Sequence, residues 1–210
     1  MCGIAGILNY RSGGIDKAII EEMLPFMEHR GPEDSGTYSD NNIILGHRRL
    51  AIIDLTSGAQ PMANTDKTIW VSANGEIFNY IELREELLQK GHTFSTTCDI
   101  EVIPHLYEVY GLDFLTHMNG QFAFALWDTR KKRLVLARDR FGIAPLFYAQ
   151  KGGSLIFASE IKALQPVLGS LEIDLEGLCQ VFTFWNTIAP KTVFNGVSQM
   201  KPGEIGRAHV

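Results

Sequence analysis

Phe122-Ala-Phe-Ala-Leu-Trp127 is an apolar run without alternation, and nothing else in the chain limits its fold as strongly. A strand with one face in water alternates apolar and polar residues, so an unbroken apolar run of strand length belongs to a strand covered on both faces. That favours stacked layers, with sheets between helices, over an open one-sided sheet. Further strands read at residues 2–8, 43–45, 50–53, 69–73, 134–137, 146–148 and 155–158, bounded by turn-rich or charged segments. Asp16 can cap a helix carrying Ile19, Ile20, Met23, Leu24 and Met27, which Pro25 should kink or shorten. A second helix through Tyr80, Leu83, Leu87 and Leu88 stops at Gly91. A third, capped by Asp99 and ending at Gly111, carries Ile103, Leu106, Tyr107 and Tyr110, with Pro104 awkward inside it. From about Pro190 onward the periodicity fades, so residues 1–190 read as the domain and 191–210 as the start of a linker, with Gly206 to Val210 either native sequence or a scar.

Cys2 stands directly behind Met1, so removal of Met1 leaves a thiol and a free α-amine on one residue. Thiolate is the reactive form of cysteine, and a terminal amine with a pKa of about 7.7–8.0 can take its proton near neutral pH. Cysteine is small enough for an aminopeptidase to expose, and Gly3 and Gly6 lend that end freedom. The plainer reading, a small apolar residue opening a first strand, stays open at this point.

Charge and cysteine content exclude several classes. A net charge of −5 without a lysine- and arginine-rich run gives no field for phosphate backbones, so nucleic acid is not an expected partner. No stretch reaches the roughly 18 apolar residues of a membrane span, and no basic leader precedes the apolar start. Cys2, Cys98 and Cys179 form an odd set without Cys-x-x-Cys spacing, which suggests neither a disulfide frame nor a zinc site; the cytoplasm is the default location. Cys98 and Cys179 read as small buried residues.

Four segments carry chemistry: Met1-Cys-Gly-Ile-Ala-Gly6, His29-Arg-Gly-Pro-Glu-Asp34, His47-Arg-Arg-Leu-Ala-Ile-Ile-Asp54 and Asn74-Gly-Glu-Ile-Phe-Asn79. Together with Arg138-Asp-Arg-Phe-Gly-Ile-Ala-Pro-Leu146, the chain over roughly residues 2–202 resembles the N-terminal glutaminase domain of glutamine-hydrolysing asparagine synthetases, which are class II amidotransferases. The resemblance implies an α+β fold of N-terminal nucleophile type, a four-layer α/β/β/α sandwich of two mostly antiparallel sheets. It implies Cys2 as nucleophile, with the Asn74 side chain and the Gly75 N–H as the donors that amide hydrolysis needs where carbonyl charge develops. Taken alone, Asn-Gly more often makes a hairpin turn.

Free glutamine also brings a carboxylate and an ammonium. The resemblance assigns Arg49, with the backbone of Leu50, Ile52 and Ile53, to the carboxylate end, and Glu76 and Asp99 to the amine end; the residues alone leave Arg48 as a competitor for Arg49. No cofactor or metal is implied for this domain, ATP and Mg belonging to a synthetase domain that would receive the ammonia. The resemblance is compatible with a homodimer. Glutaminase domains serving phosphoribosyl, sugar-phosphate or polysaccharide acceptors, and a silent regulatory domain of the same fold, stay open as alternatives. Residues 29–34 read as a turn, and Glu33 and Ala144, where the family more often has aspartate and lysine, are expected to lie clear of the chemistry. Ser12-Gly-Gly-Ile-Asp16 looks like a phosphate-binding loop, but Lys17 replaces its closing serine and no nucleotide domain precedes it; it reads as a strand-to-helix turn.

Overall fold

The structure, a computed structural model, describes residues 1–10 and 15–210. In chain order its elements are β1 (Gly3–Asn9), α1 (Ala18–Met23), β2 (Asp34–Ser39), β3 (Ile43–Arg49), β4 (Met62–Ala63), β5 (Ile69–Ile77) and α2 (Tyr80–Gln89). There follow α3 (Val102–Tyr110), β6 (Gly120–Asp128), β7 (Arg133–Arg138), β8 (Phe147–Lys151), β9 (Ser154–Ala158), α4 (Gln165–Leu168), α5 (Leu175–Phe184), β10 (Val197–Gln199) and β11 (Ile205–His209). Six strands form one antiparallel sheet in the order β10-β8-β9-β1-β3-β2, and five form the other in the order β11-β7-β6-β5-β4.

The unbroken apolar run lies in β6 and is covered on both faces. Phe122, Phe124 and Leu126 pack with α2 and α3, whereas Ala123, Ala125 and Trp127 pack against Ile4 and Leu8 of the opposite sheet. A third cluster seats α1 on the outer face of the six-stranded sheet through Ile20, Met23, Ala5 and Ile7. The layers therefore run helix, sheet, sheet, helix, as expected. Each large side chain buried between them contributes about 1.5–3 kcal/mol.

Local chemistry sets the element ends. Asp16 Oδ1 accepts the Ala18 N–H at 3.0 Å, and α1 stops at Met23 because Pro25 sits in a 3₁₀ turn over Leu24–Met27. α3 tolerates Pro104 because it lies in the first turn, where a backbone N–H has no partner within the helix. Asp99 does not cap α3: it lies inside a 3₁₀ turn, Asp99–Glu101, and its carboxylate is used elsewhere.

Other expectations are corrected. Residues 50–53 are not a strand: Ile52 is exposed, and the Leu50 backbone is taken up by Cys2. Asn74 and Gly75, a pair that taken alone would more often make a hairpin turn, lie within β5, opposite Ala123 and Phe122, which leaves their expected role as donors untouched. β2 is an additional strand, so Asp34 belongs to a sheet edge and the turn itself lies at residues 28–30, ahead of Gly31 and Pro32. Residues 191–210, read above as the start of a linker, supply β10 and β11, which pair with β8 and β7 as the outermost strands of the two sheets. Cys98 is buried as expected, but Cys179 is exposed on α5. Residues 12–14 of the Ser12-Gly-Gly-Ile-Asp16 segment lie outside the described residues.

Candidate active site

Side-chain alternation brings three strands to one place. On β1, Ile4 and Leu8 face the gap between the sheets, and Cys2, one step before the strand, shares their parity. On β3, Ile43 and Leu45 face the same gap, and His47 and Arg49 continue that row. On β5, Trp70 stacks on Tyr38 of β2 and Ser72 Oγ donates to the Gly46 carbonyl, so Asn74 too points toward the facing sheet. Cys2, Arg49, Leu50, Ile52, Ile53, Asn74, Gly75, Glu76 and Asp99, all the residues expected to form a site, line one cavity of about 80 Å³.

Cys2 Sγ lies 3.4 Å from the Leu50 N and 3.5 Å from the Leu50 carbonyl oxygen, so one residue both donates to and accepts from the thiol. Burial pushes the thiol pKa up, while the Leu50 hydrogen bond, the chain's terminal amine, Arg49 and Arg30 oppose that. Arg30 Nε donates to the Cys2 carbonyl at 2.9 Å and its Nη1 pairs with Glu160 at 2.9 Å, which fixes the backbone behind the sulfur.

Asn74 is almost fully buried, and neither its amide nitrogen nor its carbonyl oxygen has a partner. Burying an amide unsatisfied costs about 1–3 kcal/mol, so such a group in a cavity wall is set for a molecule that enters. Beside it, Gly75 has a φ of +153°, and a Cβ there would stand 2.1 Å from the Gln121 carbonyl oxygen and 2.6 Å from Phe122 Cα. Only glycine lets β5 lie this close to β6.

Arg49 and Arg48 point to opposite faces of β3. Arg48 Nε donates to the Gly31 carbonyl at 2.9 Å, whereas Arg49 donates to the Asp54 carbonyl and lines the cavity. Asp54 accepts the Ser57 hydroxyl and the backbone N–H groups of Ser57 and Thr97, tying residues 50–58 to the loop before α3, and these bonds hold its carboxyl far below the usual range. Asp99 accepts the Ile77 N–H at 2.8 Å through Oδ2 and the Cys98 thiol at 3.6 Å through Oδ1. Burial raises the Asp99 pKa, and the charge of Glu76 adds to that. The cavity thus sets a guanidinium against two carboxylates.

Several contributors had no signal in the sequence. Gln60 lines the cavity and accepts the Ala73 N–H at 2.7 Å through Oε1. Gln121, Ile143 and Cys98 also line it, the last with its thiol pushed up to about 12 by burial and by Asp99. Glu33 and Ala144 prove close after all: Ala144 is part of the wall, and Glu33 Oε2 accepts the Ala51 N–H at 2.6 Å. Behind the wall, His47 Nε2 lies 3.0 Å from the Ala73 carbonyl and must carry the proton, since a carbonyl only accepts; its Nδ1 has no partner. Among the described residues, His92, His105 and Glu108 offer ligand atoms within 4.8 Å of one another, but none of them lines this cavity.

Known proteins resemble the chain in sequence and in fold. The chain is 38% identical over 208 residues to asparagine synthetase [glutamine-hydrolyzing] 3 of Bacillus subtilis, covering 96% of this chain and 34% of that protein. It is 40% identical to asparagine synthetase [glutamine-hydrolyzing] 1 of the same organism, covering 97% and 33%. The chain spans about a third of the length of these relatives. Among solved structures, glutamine phosphoribosylpyrophosphate amidotransferase from B. subtilis matches with a TM-score of 0.65 at 24% identity, over 79% of this chain and 43% of that one. A structure titled the allosteric regulatory enzyme of purine biosynthesis matches with a TM-score of 0.70 at 21% identity, over 97% and 46%. These two share the fold. Residues 1–209 match the family described as a glutamine amidotransferase domain, and with that match spanning both sheets and the cavity between them, the chain belongs to the glutamine amidotransferase domain family.

Proposed function

We propose that the chain hydrolyses glutamine to glutamate and ammonia, with Cys2 as nucleophile once Met1 has been removed. The carrying observation is the unpartnered, buried Asn74 amide in the wall of the cavity that also holds the Cys2 thiol. Because burial raises the thiol pKa, the sulfur needs a base, and the freed α-amine of Cys2, with a pKa of about 7.7–8.0, supplies one directly or through a water. The thiolate attacks the side-chain amide carbon. Asn74 Nδ2 and the Gly75 N–H stabilise the tetrahedral oxyanion. The C–N bond breaks as the nitrogen takes the proton, ammonia leaves, and water hydrolyses the γ-glutamyl thioester, releasing glutamate and the thiol.

Arg49 holds the α-carboxylate of glutamine, beside the backbone of Leu50, Ile52 and Ile53. Asp99 and Glu76 hold its α-ammonium. In a longer chain the ammonia passes to a synthetase domain that uses ATP and Mg to amidate aspartate; the names of the relatives, glutamine-hydrolyzing asparagine synthetases, support the synthetase partner. No helix among the described residues is long and apolar enough to cross a membrane, and we place the reaction in the cytoplasm.

The test pairs intact-mass analysis of the N-terminus with ammonia release from glutamine. Chain lacking Met1 should turn over, and Cys2→Ala should be inactive while unfolding at the parent's urea midpoint. Substantial turnover by Cys2→Ala would remove Cys2 as nucleophile, and inactivity of the processed parent would leave a silent domain of the same fold.

A further inference from the structure

α5 is attached by its narrowest point. The one residue it buries is Gly177, where a Cβ would stand 2.1 Å from the Thr192 carbonyl oxygen. Its outward side is not polar. Leu175, Cys179, Phe182 and Trp185 recur at helical spacing, and Leu175, Phe182 and Trp185 are 73%, 80% and 93% exposed. Trp185 ends the helix in the left-handed region with φ +59°, a conformation that costs a non-glycine residue about 1–2 kcal/mol. Strain and exposure together bring no gain within this domain.

We propose that this stripe is the docking surface for the domain that follows the glutamine amidotransferase domain in longer chains, a proposal that rests on the reading of the chain as one part of a synthetase. The stripe is neutral: residues 178–189 carry no charge, and the nearby Lys191 is paired with Asp174 at 3.3 Å and with Glu176. A neutral apolar face suits a protein domain and offers nothing to an anionic partner. The relatives are about three times as long as this chain, so most of each lies beyond the match. The position also fits. β10, to which the end of the α5 segment is tied by the Gln199 N–H to the Pro190 carbonyl at 2.7 Å, closes one sheet on the side where β11 closes the other. A polypeptide continuing from β11 leaves on that side.

Cys179 supplies the probe. In a Cys2→Ala background, with Cys98 buried, maleimide should alkylate Cys179 rapidly in the 210-residue chain. In chimeras joining residues 1–210 to the remainder of either B. subtilis relative, alkylation should be roughly 100-fold slower. Ammonia-dependent asparagine synthesis, which needs no Cys2, identifies a folded chimera. Equal alkylation rates in such a chimera overturn the proposal. Phe182→Ser with Trp185→Ser in the 210-residue chain decides independently: an unchanged melting temperature is expected, and a large drop would show that the stripe supports this domain's own core. A dimer of the parent that dissociates on the same substitutions would assign the stripe to a second copy and also overturn it. Glutamine hydrolysis by the unmodified 210-residue chain, measured separately, reports whether the underlying functional reading has failed instead.

Discussion

Acid should unlock the sandwich at His47, and the cost can be worked from its surroundings. The imidazole is fully buried between the sheets, with Nε2 committed to the Ala73 carbonyl and Nδ1 facing no acceptor. Charging it would put a second N–H into that space, so burial, with a smaller repulsion from Arg49, lowers its pKa from 6.5 to about 4. A folded pKa below the unfolded one means that the unfolded chain binds more protons. Stability from this group is therefore complete above pH 6.5 and is lost as the pH falls toward 4. At about 1.4 kcal/mol per tenfold change in proton affinity, the loss is about 1.4 kcal/mol at pH 5.5 and about 3 kcal/mol at pH 4. His47→Gln provides the comparison, because its amide can still donate to Ala73 but does not titrate. Urea unfolding followed by tryptophan fluorescence, with the fully buried Trp127 as reporter, gives both stabilities at pH 7.0, 5.5 and 4.0. Other titrating groups cancel in the difference, so the parent's advantage over the variant should shrink by those amounts. A difference constant within about 0.5 kcal/mol across the range would refute the buried neutral imidazole.

Three further outcomes test the site. Asn74→Ala should lower kcat for glutamine by about 10²–10³, the usual effect of deleting one oxyanion donor, and a rate within twofold of the parent would remove Asn74 from the mechanism. Arg49→Ala should raise KM about 10–100-fold through loss of a charged hydrogen bond, whereas Arg48→Ala should leave KM alone; the reverse pattern would place the carboxylate on the other face of β3. Gly75→Ala should cost about 3 kcal/mol or more by forcing a methyl group into the β6 backbone, and a urea midpoint equal to the parent's would contradict the close approach of the two strands.

How far the sequence could be read depended on which backbone groups each segment uses. β6 was legible because two cores cover it, leaving no reason for a polar residue in the run. β2, Asp34–Ser39, was not, because an edge strand with half its residues exposed carries no apolar pattern. Residues 50–53 look like a strand by composition, yet a sheet would occupy the Leu50 N–H and carbonyl that instead hold the Cys2 thiol. The same trade explains Asn74-Gly75: the pair that usually makes a turn serves here inside β5, where the glycine permits close packing and the asparagine is left without a partner. The choice between Arg48 and Arg49 was not open to residue type at all, since both are arginines on one strand. It follows from alternation once Ile43 and Leu45 are known to face the other sheet, because His47 and Arg49 must then share that side. The cavity wall is thus built where ordinary pairing rules are broken: the Leu50 backbone is turned to the Cys2 thiol and the Asn74 amide is left without a partner, where regular structure would have consumed both.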